Sequence, residues 1–137
     1  MSELTLAAAQ SLLQGAIEAA AERFKRPICV AICDPAGALV AFVRQEGAPL
    51  RSIAISQGKA YTAARMSVTT QAFHERLLKD QIAARDFCDE KFTALAGGAP
   101  LKDSAGRMIG AAGISGLALA EDQEIADHLA RLAAANS

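Results

Sequence analysis

The segment GGAPLKDSAGRMIGAAGISG, residues 97–116, combines a turn sequence with flanking apolar residues and six glycines. Its DSAG sequence at 103–106 has residue types that favour a tight turn, because Asp hydrogen-bonds to nearby backbone and Gly tolerates positive φ. The same turn chemistry occurs as DPAG at 34–37, between the apolar segments PICVAICD and ALVAFVRQ. Apolar segments joined by such turns indicate β-hairpins, so the sequence predicts two of them.

Two of the six glycines, Gly110 and Gly113, lie within the apolar part of this segment. Glycine weakens a strand unless another backbone or a ligand approaches closely. These positions therefore predict either the wall of a pocket or a tight contact with a second subunit. The glycines do not reproduce the GxGxxG or P-loop patterns, so a phosphate-binding loop is not indicated.

Apolar residues at helical spacing predict helices before, between and after the two hairpins. Ser2 and Thr5 are the candidate N-caps of the first helix, and a further strand is expected around FTALAG, residues 92–97. The predicted helices cover residues 5–24, residues 50–66, one or two short segments within 67–95, and residues 121–136. Helices packed on an antiparallel sheet form an α+β layered fold, and residues 1–137 are expected to form a single domain.

The composition argues against several classes of partner. Fourteen basic and fifteen acidic residues give a net charge of −1, which creates no field that attracts nucleic acid or anionic lipid. No apolar run reaches the roughly 18 residues that a membrane span requires. The N-terminus lacks the basic start of a secretory signal, so a cytoplasmic protein without nucleic-acid or membrane partners is expected.

Cys29 and Cys33 occur in a predicted apolar strand, where buried thiols are more common than a metal site or a disulfide. Because side chains alternate along a strand, residues four positions apart face the same side. The sequence leaves open whether that side is the core or a pocket.

Three segments together resemble the signature sequences of the GlcG/HbpS-like haem-binding family. They are VAICDPAGALVAF, APLRSIAISQGKAYTAARM and the glycine-rich segment followed by EDQEIA, in this order and over nearly the whole chain. The resemblance implies an antiparallel sheet flanked by helices, profilin-like or PAS-like in outline, in a homo-oligomer of two or more subunits. Members of the family include the C-terminal module of PduO-type corrinoid adenosyltransferases and stand-alone proteins encoded among catabolic enzymes.

The resemblance also favours a ligand pocket between the second predicted helix, residues 50–66, and the glycine-rich hairpin. Lys59, Tyr61 and Arg65 in KAYTAAR supply donors that suit a small carboxylate or enolate. Ser115 has two interpretations, a hydrogen bond to the ligand or a cap on the following loop. The candidate ligand-binding residues are Arg44, Arg51, Lys59, Tyr61, Arg65, Gly97, Gly98 and Ser115.

Haem is the candidate cofactor that the resemblance implies, and it would need an axial iron ligand and cations for its propionates. His74 is the first candidate for the iron, with a cysteine, Tyr61 or a methionine as alternatives. The candidate cations are Arg44, Arg51, Lys59 and Arg65.

Three functions remain open from the sequence. The first is a haem-binding or small-molecule-binding module. The second is a cofactor-free isomerase or lyase acting on a small carbonyl or carboxylate metabolite, with proton transfer by Lys59, Tyr61, Arg65 or His74. The third is a structural or regulatory subunit without an organised polar pocket.

Overall fold

The computed structural model describes residues 4–136 and contains four helices, one short 3-10 helix and four strands. The predicted helices and hairpins are confirmed. In chain order the elements are α1 Leu6–Arg23, β1 Cys29–Cys33, β2 Leu39–Arg44, α2 Arg51–Met66, α3 Thr70–Asp80, the 3-10 helix Ala84–Phe87, β3 Gly98–Lys102, β4 Met108–Ser115 and α4 Leu119–Ala135.

The four strands form one antiparallel sheet in the order β2-β1-β4-β3. Each hairpin supplies one edge strand and one central strand, and β1 pairs with β4 in the middle, with Cys29 opposite Ser115. The α+β fold class expected from the sequence is therefore correct.

The two hairpin turns have the same hydrogen-bonding pattern. In each, the Oδ1 atom of the first residue, Asp34 or Asp103, accepts bonds of 2.9–3.0 Å from the backbone N–H groups two and four residues later. Gly37 and Gly106 close the turns with φ values of 92° and 85°, a region where a Cβ atom would cause strain.

The helices cover the two faces of the sheet differently. Helices α1 and α4 bury large aliphatic side chains against one face, including Val30 and Ile32 of β1. Helix α2 lies on the other face, where Ala31 and Cys33 of β1 meet a row of helix alanines. Small side chains on both surfaces allow α2 to approach the sheet closely.

The first helix begins as expected, because the Thr5 hydroxyl accepts a 3.0 Å hydrogen bond from the Ala8 backbone N–H. The alternative cap, Ser2, lies outside the described residues. The segment 67–95 contains α3 and the 3-10 helix, in agreement with one or two short helices. Within the described residues, no helix is long and apolar enough to span a membrane.

The strand predicted at residues 92–97 is wrong, because this segment is a loop and β3 begins only at Gly98. Phe92 belongs to a cluster of aromatic rings with Phe73 and Phe87, at centroid distances of 5.8 and 6.1 Å. Its apolar side chain is covered by these rings and does not require a position in the sheet.

Candidate functional site

Helix α2 contacts β4 without any intervening space. A Cβ atom built on Gly113 would lie 2.0 Å from the Ser56 carbonyl oxygen and 2.6 Å from the Ala60 nitrogen. On the neighbouring strand, a Cβ atom on Gly98 would lie 2.5 Å from the Lys59 carbonyl oxygen. The space beside these glycines is therefore occupied by a helix of the same chain, and not by a ligand or a second subunit.

Lys59 lies on this closed side of α2 and is completely buried. Its Nζ donates to the Ile114 carbonyl at 2.7 Å and to Asp122 Oδ2 at 3.0 Å, and the other Asp122 oxygen accepts the Leu117 backbone N–H. The two charged side chains are 0% and 2% exposed. Burial lowers the pKa of Lys59 and raises the pKa of Asp122 to about 6.

The backbone of the adjacent Gly97 and Gly98, at the start of β3, is also bonded within the chain. Gly97 N–H donates to Gln123 Oε1 at 2.7 Å, while Gln123 Nε2 donates to the Gly98 carbonyl at 3.0 Å. Gly98 N–H donates to the Thr70 hydroxyl at 2.8 Å. These bonds join α3 and α4 to β3, and they use the backbone groups at which the sequence predicted a ligand.

Ser115 and two of the three arginines proposed for propionates, Arg44 and Arg51, occupy other positions in the fold. The Ser115 hydroxyl donates a 3.0 Å hydrogen bond to the buried Ser52 hydroxyl of α2. Arg44 is opposite Cys29 at the end of β2, and Arg51 begins α2; both are exposed. None of these three candidates lines the cleft described next.

Another part of α2 lines, together with the β1–β2 hairpin turn, an open cleft of about 610 Å³. The loop that follows the 3-10 helix forms the third side. The residues lining this cleft are Cys33, Gly37, Ala38, Leu39, Ala54, Ile55, Gln57, Gly58, Ala60, Tyr61, Glu90, Lys91, Phe92 and Thr93.

Cys33 contributes a neutral thiol to the cleft. Its side chain is buried and its Sγ donates to the Ala60 carbonyl at 3.4 Å. Burial raises the pKa of this thiol to about 12. Cys29, Cys33 and Cys88 are all free, and the first two are buried as the sequence predicted.

Tyr61 is the centre of a polar network at the cleft. Its hydroxyl donates to Asp89 Oδ2 at 2.6 Å and accepts from Arg65 Nη2 at 3.0 Å. The hydrogen bond from Tyr61 is the main reason that the pKa of Asp89 is lowered. The network ties the end of α2 to the loop that closes the cleft.

The loop crosses α2 at its glycine. A Cβ atom on Gly58 would be 3.4 Å from the Lys91 carbonyl oxygen, so this position leaves room for the loop. Thr93 N–H then donates to the Thr62 hydroxyl at 3.0 Å. The Phe92 ring packs edge-on against Tyr61, at a centroid distance of 6.0 Å.

The structure brings only some of the predicted site residues together. Tyr61 and Arg65 are hydrogen-bonded at the cleft, whereas Lys59 lies on the opposite side of the same helix. Residues two positions apart on an α-helix point about 200° apart, so Lys59 does not join Tyr61 and Arg65 in one cluster of donors. His74 is exposed on α3 and does not line the cleft.

Apart from Tyr61, and from Cys33 whose face was left open, the cleft residues were not found from the sequence; they include Leu39, Gln57, Lys91 and Phe92. Three elements distant in the chain supply them, and no motif connects these elements. In the part of the chain that the structure describes, no group of three or more His, Cys, Asp or Glu side chains is arranged to hold a metal ion.

The antiparallel sheet, its two helical layers and the cleft beside α2 define a small α+β domain with a built-in cavity. The family model described as "Haem degrading protein HbpS-like" matches residues 4–131, so the chain belongs to the HbpS-like family. None of the curated proteins matches the chain significantly in sequence.

Solved structures agree with this membership. A double mutant of HbpS from Streptomyces reticuli is 28% identical, with a TM-score of 0.84 over 96% of this chain and 88% of that chain. PduOC in complex with haem is 26% identical, with a TM-score of 0.83 over 95% and 94%. Protein ORFY from Klebsiella pneumoniae shares the fold at 24% identity, with a TM-score of 0.85 over 97% and 92%.

Proposed function

We propose that this protein binds a small, largely apolar molecule in the cleft between α2 and the β1–β2 hairpin. The cleft itself is the observation that carries the proposal. Its volume of about 610 Å³ and its mainly apolar lining, with a few polar groups at one side, are typical of small-molecule sites. The pocket expected beside the glycine-rich hairpin is thereby moved to the opposite side of the same helix.

Haem is the first ligand to test. The description of the family names haem, and PduOC, a relative with the same fold, has been solved with haem bound. The apolar walls of the cleft suit the macrocycle, and Lys91 supplies a cation for a propionate.

The residues lining the cleft do not fit the iron of haem. No histidine or methionine is among them, and the Cys33 thiol, with its raised pKa, is a poor source of a thiolate ligand. The Tyr61 hydroxyl already has two partners. The cleft therefore suits the organic part of haem and offers no free side chain for its iron.

The proposal is tested by titrating the purified protein with haemin and measuring the Soret absorption. The cleft is blocked by Ala54→Trp, which adds a large side chain to the α2 wall. Ala21→Trp is the matched control, because Ala21 is an exposed alanine on α1, outside the cleft lining. Saturable binding that is lost in Ala54→Trp and kept in Ala21→Trp is the expected result.

The variant His74→Ala separates the two locations for haem. Weaker binding in His74→Ala with unchanged binding in Ala54→Trp would place haem at α3 and overturn the assignment to the cleft. If haemin gives no saturable change, the same pair of tryptophan variants is tested with the apolar fluorescent anion 1-anilinonaphthalene-8-sulfonate. Binding of this dye that is equal in both variants would contradict a ligand site in the cleft.

A further inference from the structure

Three polar side chains of the cleft lining have no hydrogen-bond partner among the described residues: the Lys91 ammonium, the Gln57 amide and the Glu90 carboxylate. The other polar groups of the lining are already engaged. Tyr61 donates to Asp89, and the Cys33 thiol donates to the Ala60 carbonyl. The Lys91 ammonium can only donate, the Glu90 carboxylate can only accept, and the Gln57 amide can do either, so Lys91 and Gln57 together can hold an acceptor.

Lys91 is held in place without being neutralised by an ion pair. Its Nζ lies 5.3 Å from the centroid of the Tyr61 ring, within the range of a cation–π contact. Its positive charge contributes to the lowered pKa of Asp89, but no carboxylate lies within 4 Å of its ammonium in the described part of the chain. Asp89 is instead bonded to Tyr61, which also accepts from Arg65.

Glu90 is the other charged residue of the lining, and it would recognise the opposite kind of ligand. Glu90 and Lys91 are both exposed, but no contact fixes the Glu90 carboxylate, whereas the Lys91 ammonium lies over the Tyr61 ring. Lys91 is positioned by the Tyr61 ring, and Arg65 adds a second positive charge on the same side. Asp89 lies on the same side, but its Oδ2 accepts from Tyr61 and its Oδ1 accepts from the Lys91 backbone N–H. The charge that has a positioned contact and no hydrogen-bond partner is therefore that of Lys91, which favours an anionic group.

We propose that the ligand of the cleft carries a carboxylate, which Lys91 and Gln57 hold at the loop side while an apolar body fills the remaining space. The assignment of a carboxylate rests on the proposed binding of a ligand in this cleft. A free apolar carboxylic acid and a porphyrin with propionate groups share this chemistry.

Fluorescence anisotropy with matched probes tests the proposal. The carboxylate probe is 1-pyrenebutyrate, its neutral counterpart is 1-pyrenebutanol, and its cationic counterpart is 1-pyrenemethylamine. Lys91→Met keeps the apolar stem and removes the charge. It should weaken the binding of 1-pyrenebutyrate about tenfold and leave the binding of 1-pyrenebutanol unchanged. Gln57→Leu should weaken the binding of 1-pyrenebutyrate about threefold.

Lys102→Met is the control, because Lys102 is an exposed lysine on β3, outside the cleft lining. Equal effects of Lys91→Met on the acid and the alcohol would overturn the carboxylate assignment. Tighter binding of the amine than of the acid would overturn it in favour of Glu90. Metal-free protoporphyrin IX separates the two sources of the carboxylate. If Lys91→Met weakens the binding of this porphyrin alone, the ligand is a porphyrin. If Lys91→Met also weakens the binding of 1-pyrenebutyrate, the site accepts apolar acids in general.

Failure of the underlying cleft assignment gives a different result. In that case the Ala54→Trp variant would bind all the probes as well as the unchanged protein does. If Ala54→Trp abolishes binding while Lys91→Met has no selective effect, the cleft assignment stands and the carboxylate assignment is wrong.

Discussion

The two sides of α2 face two hairpins with similar turn sequences, yet one side is closed and the other is open. On the closed side, Gly113 and Gly98 remove the side chains that would separate α2 from β4 and β3. On the open side, Tyr61, the loop around Phe92 and the β1–β2 hairpin turn line the cleft. The difference teaches that the residues facing α2, glycines of the strands on one side and the Tyr61 network with its loop on the other, distinguish a closed contact from a cleft.

The closed side also contains the buried charges, while the open side contains the unpaired ones. Lys59 meets Asp122 in a site that excludes water, and within the described residues every buried side-chain nitrogen or oxygen has a hydrogen-bond partner. Lys91 stands at the cleft without such a partner. A closed and fully bonded contact stabilises the fold, whereas unused donors beside a cavity can bind a ligand.

Removing the buried lysine should have the largest effect on stability. Lys59→Met leaves Asp122 buried without its counter-ion, and losing one partner of a buried pair costs about 3–5 kcal/mol. Urea denaturation measures the free energy of unfolding, with the exposed Lys102→Met as the control. A loss below about 1 kcal/mol would contradict the role of this pair in joining α2 to α4.

The two glycines of the closed and open sides should respond oppositely to alanine. Gly113→Ala forces a Cβ atom onto the backbone of α2, and overpacking of this kind costs about 3 kcal/mol. Gly58→Ala meets only contacts of 3.4 Å or more, and it gains helix propensity of about 1 kcal/mol. Urea denaturation of both variants should show destabilisation in the first and a neutral or stabilised protein in the second. Similar losses in both would show that the cleft side is packed as tightly as the other.

The buried carboxylate should make stability depend on pH. The folded-state pKa of Asp122 is raised to about 6, above its ordinary value, so the folded state binds a proton more readily than the unfolded state. The contribution of Asp122 to the free energy of unfolding is therefore fully present below about pH 4 and is lost as the pH rises through about 6. The stability of the unchanged protein minus that of Asp122→Asn should fall by about 2 kcal/mol between pH 4 and 7. A difference that is constant or rises over this range would refute the raised pKa.

Local sequence patterns predicted the fold because turns and helices depend on neighbouring residues. The DPAG and DSAG turns identified both hairpins, and helical spacing identified α1, α2 and α4. The contact of α2 with β4 was visible only as unexplained glycines, because the identity of the approaching backbone depends on the tertiary arrangement. Gly113 signalled a close neighbour without revealing that the neighbour was a helix of the same chain.

The candidate site was harder to predict because it joins residues that are far apart in the chain. Lys91 lies 30 positions after Tyr61, in a loop without periodicity, and its place depends on aromatic contacts of Phe92. Lys59 was predicted to be a site residue because it lies near Tyr61 and Arg65 in KAYTAAR, and cations beside a phenol suit a small carboxylate or enolate. Its burial depends on Asp122 of α4, which no local pattern connects to α2.

The two turn glycines provide the smallest and most selective test of the difference between the hairpins. Gly37→Ala and Gly106→Ala each place alanine at positive φ, with a cost of about 1 kcal/mol from backbone strain. At Gly106 a Cβ atom meets nothing within 4 Å, so strain is the only expected effect. At Gly37 it lies 2.8 Å from Tyr61 Cδ1, so the tyrosine ring must move and about 1 kcal/mol more is lost.

Because Tyr61 positions Lys91 at the cleft, Gly37→Ala should also weaken 1-pyrenebutyrate binding, while Gly106→Ala should leave it unchanged. Anisotropy titrations and urea denaturation of the two variants measure both effects together. Equal binding in both variants would mean that the first turn borders the cleft without shaping it. Weaker binding in Gly37→Ala alone would show that two turns with the same hydrogen bonds differ in function only through the side chain that packs against one of them.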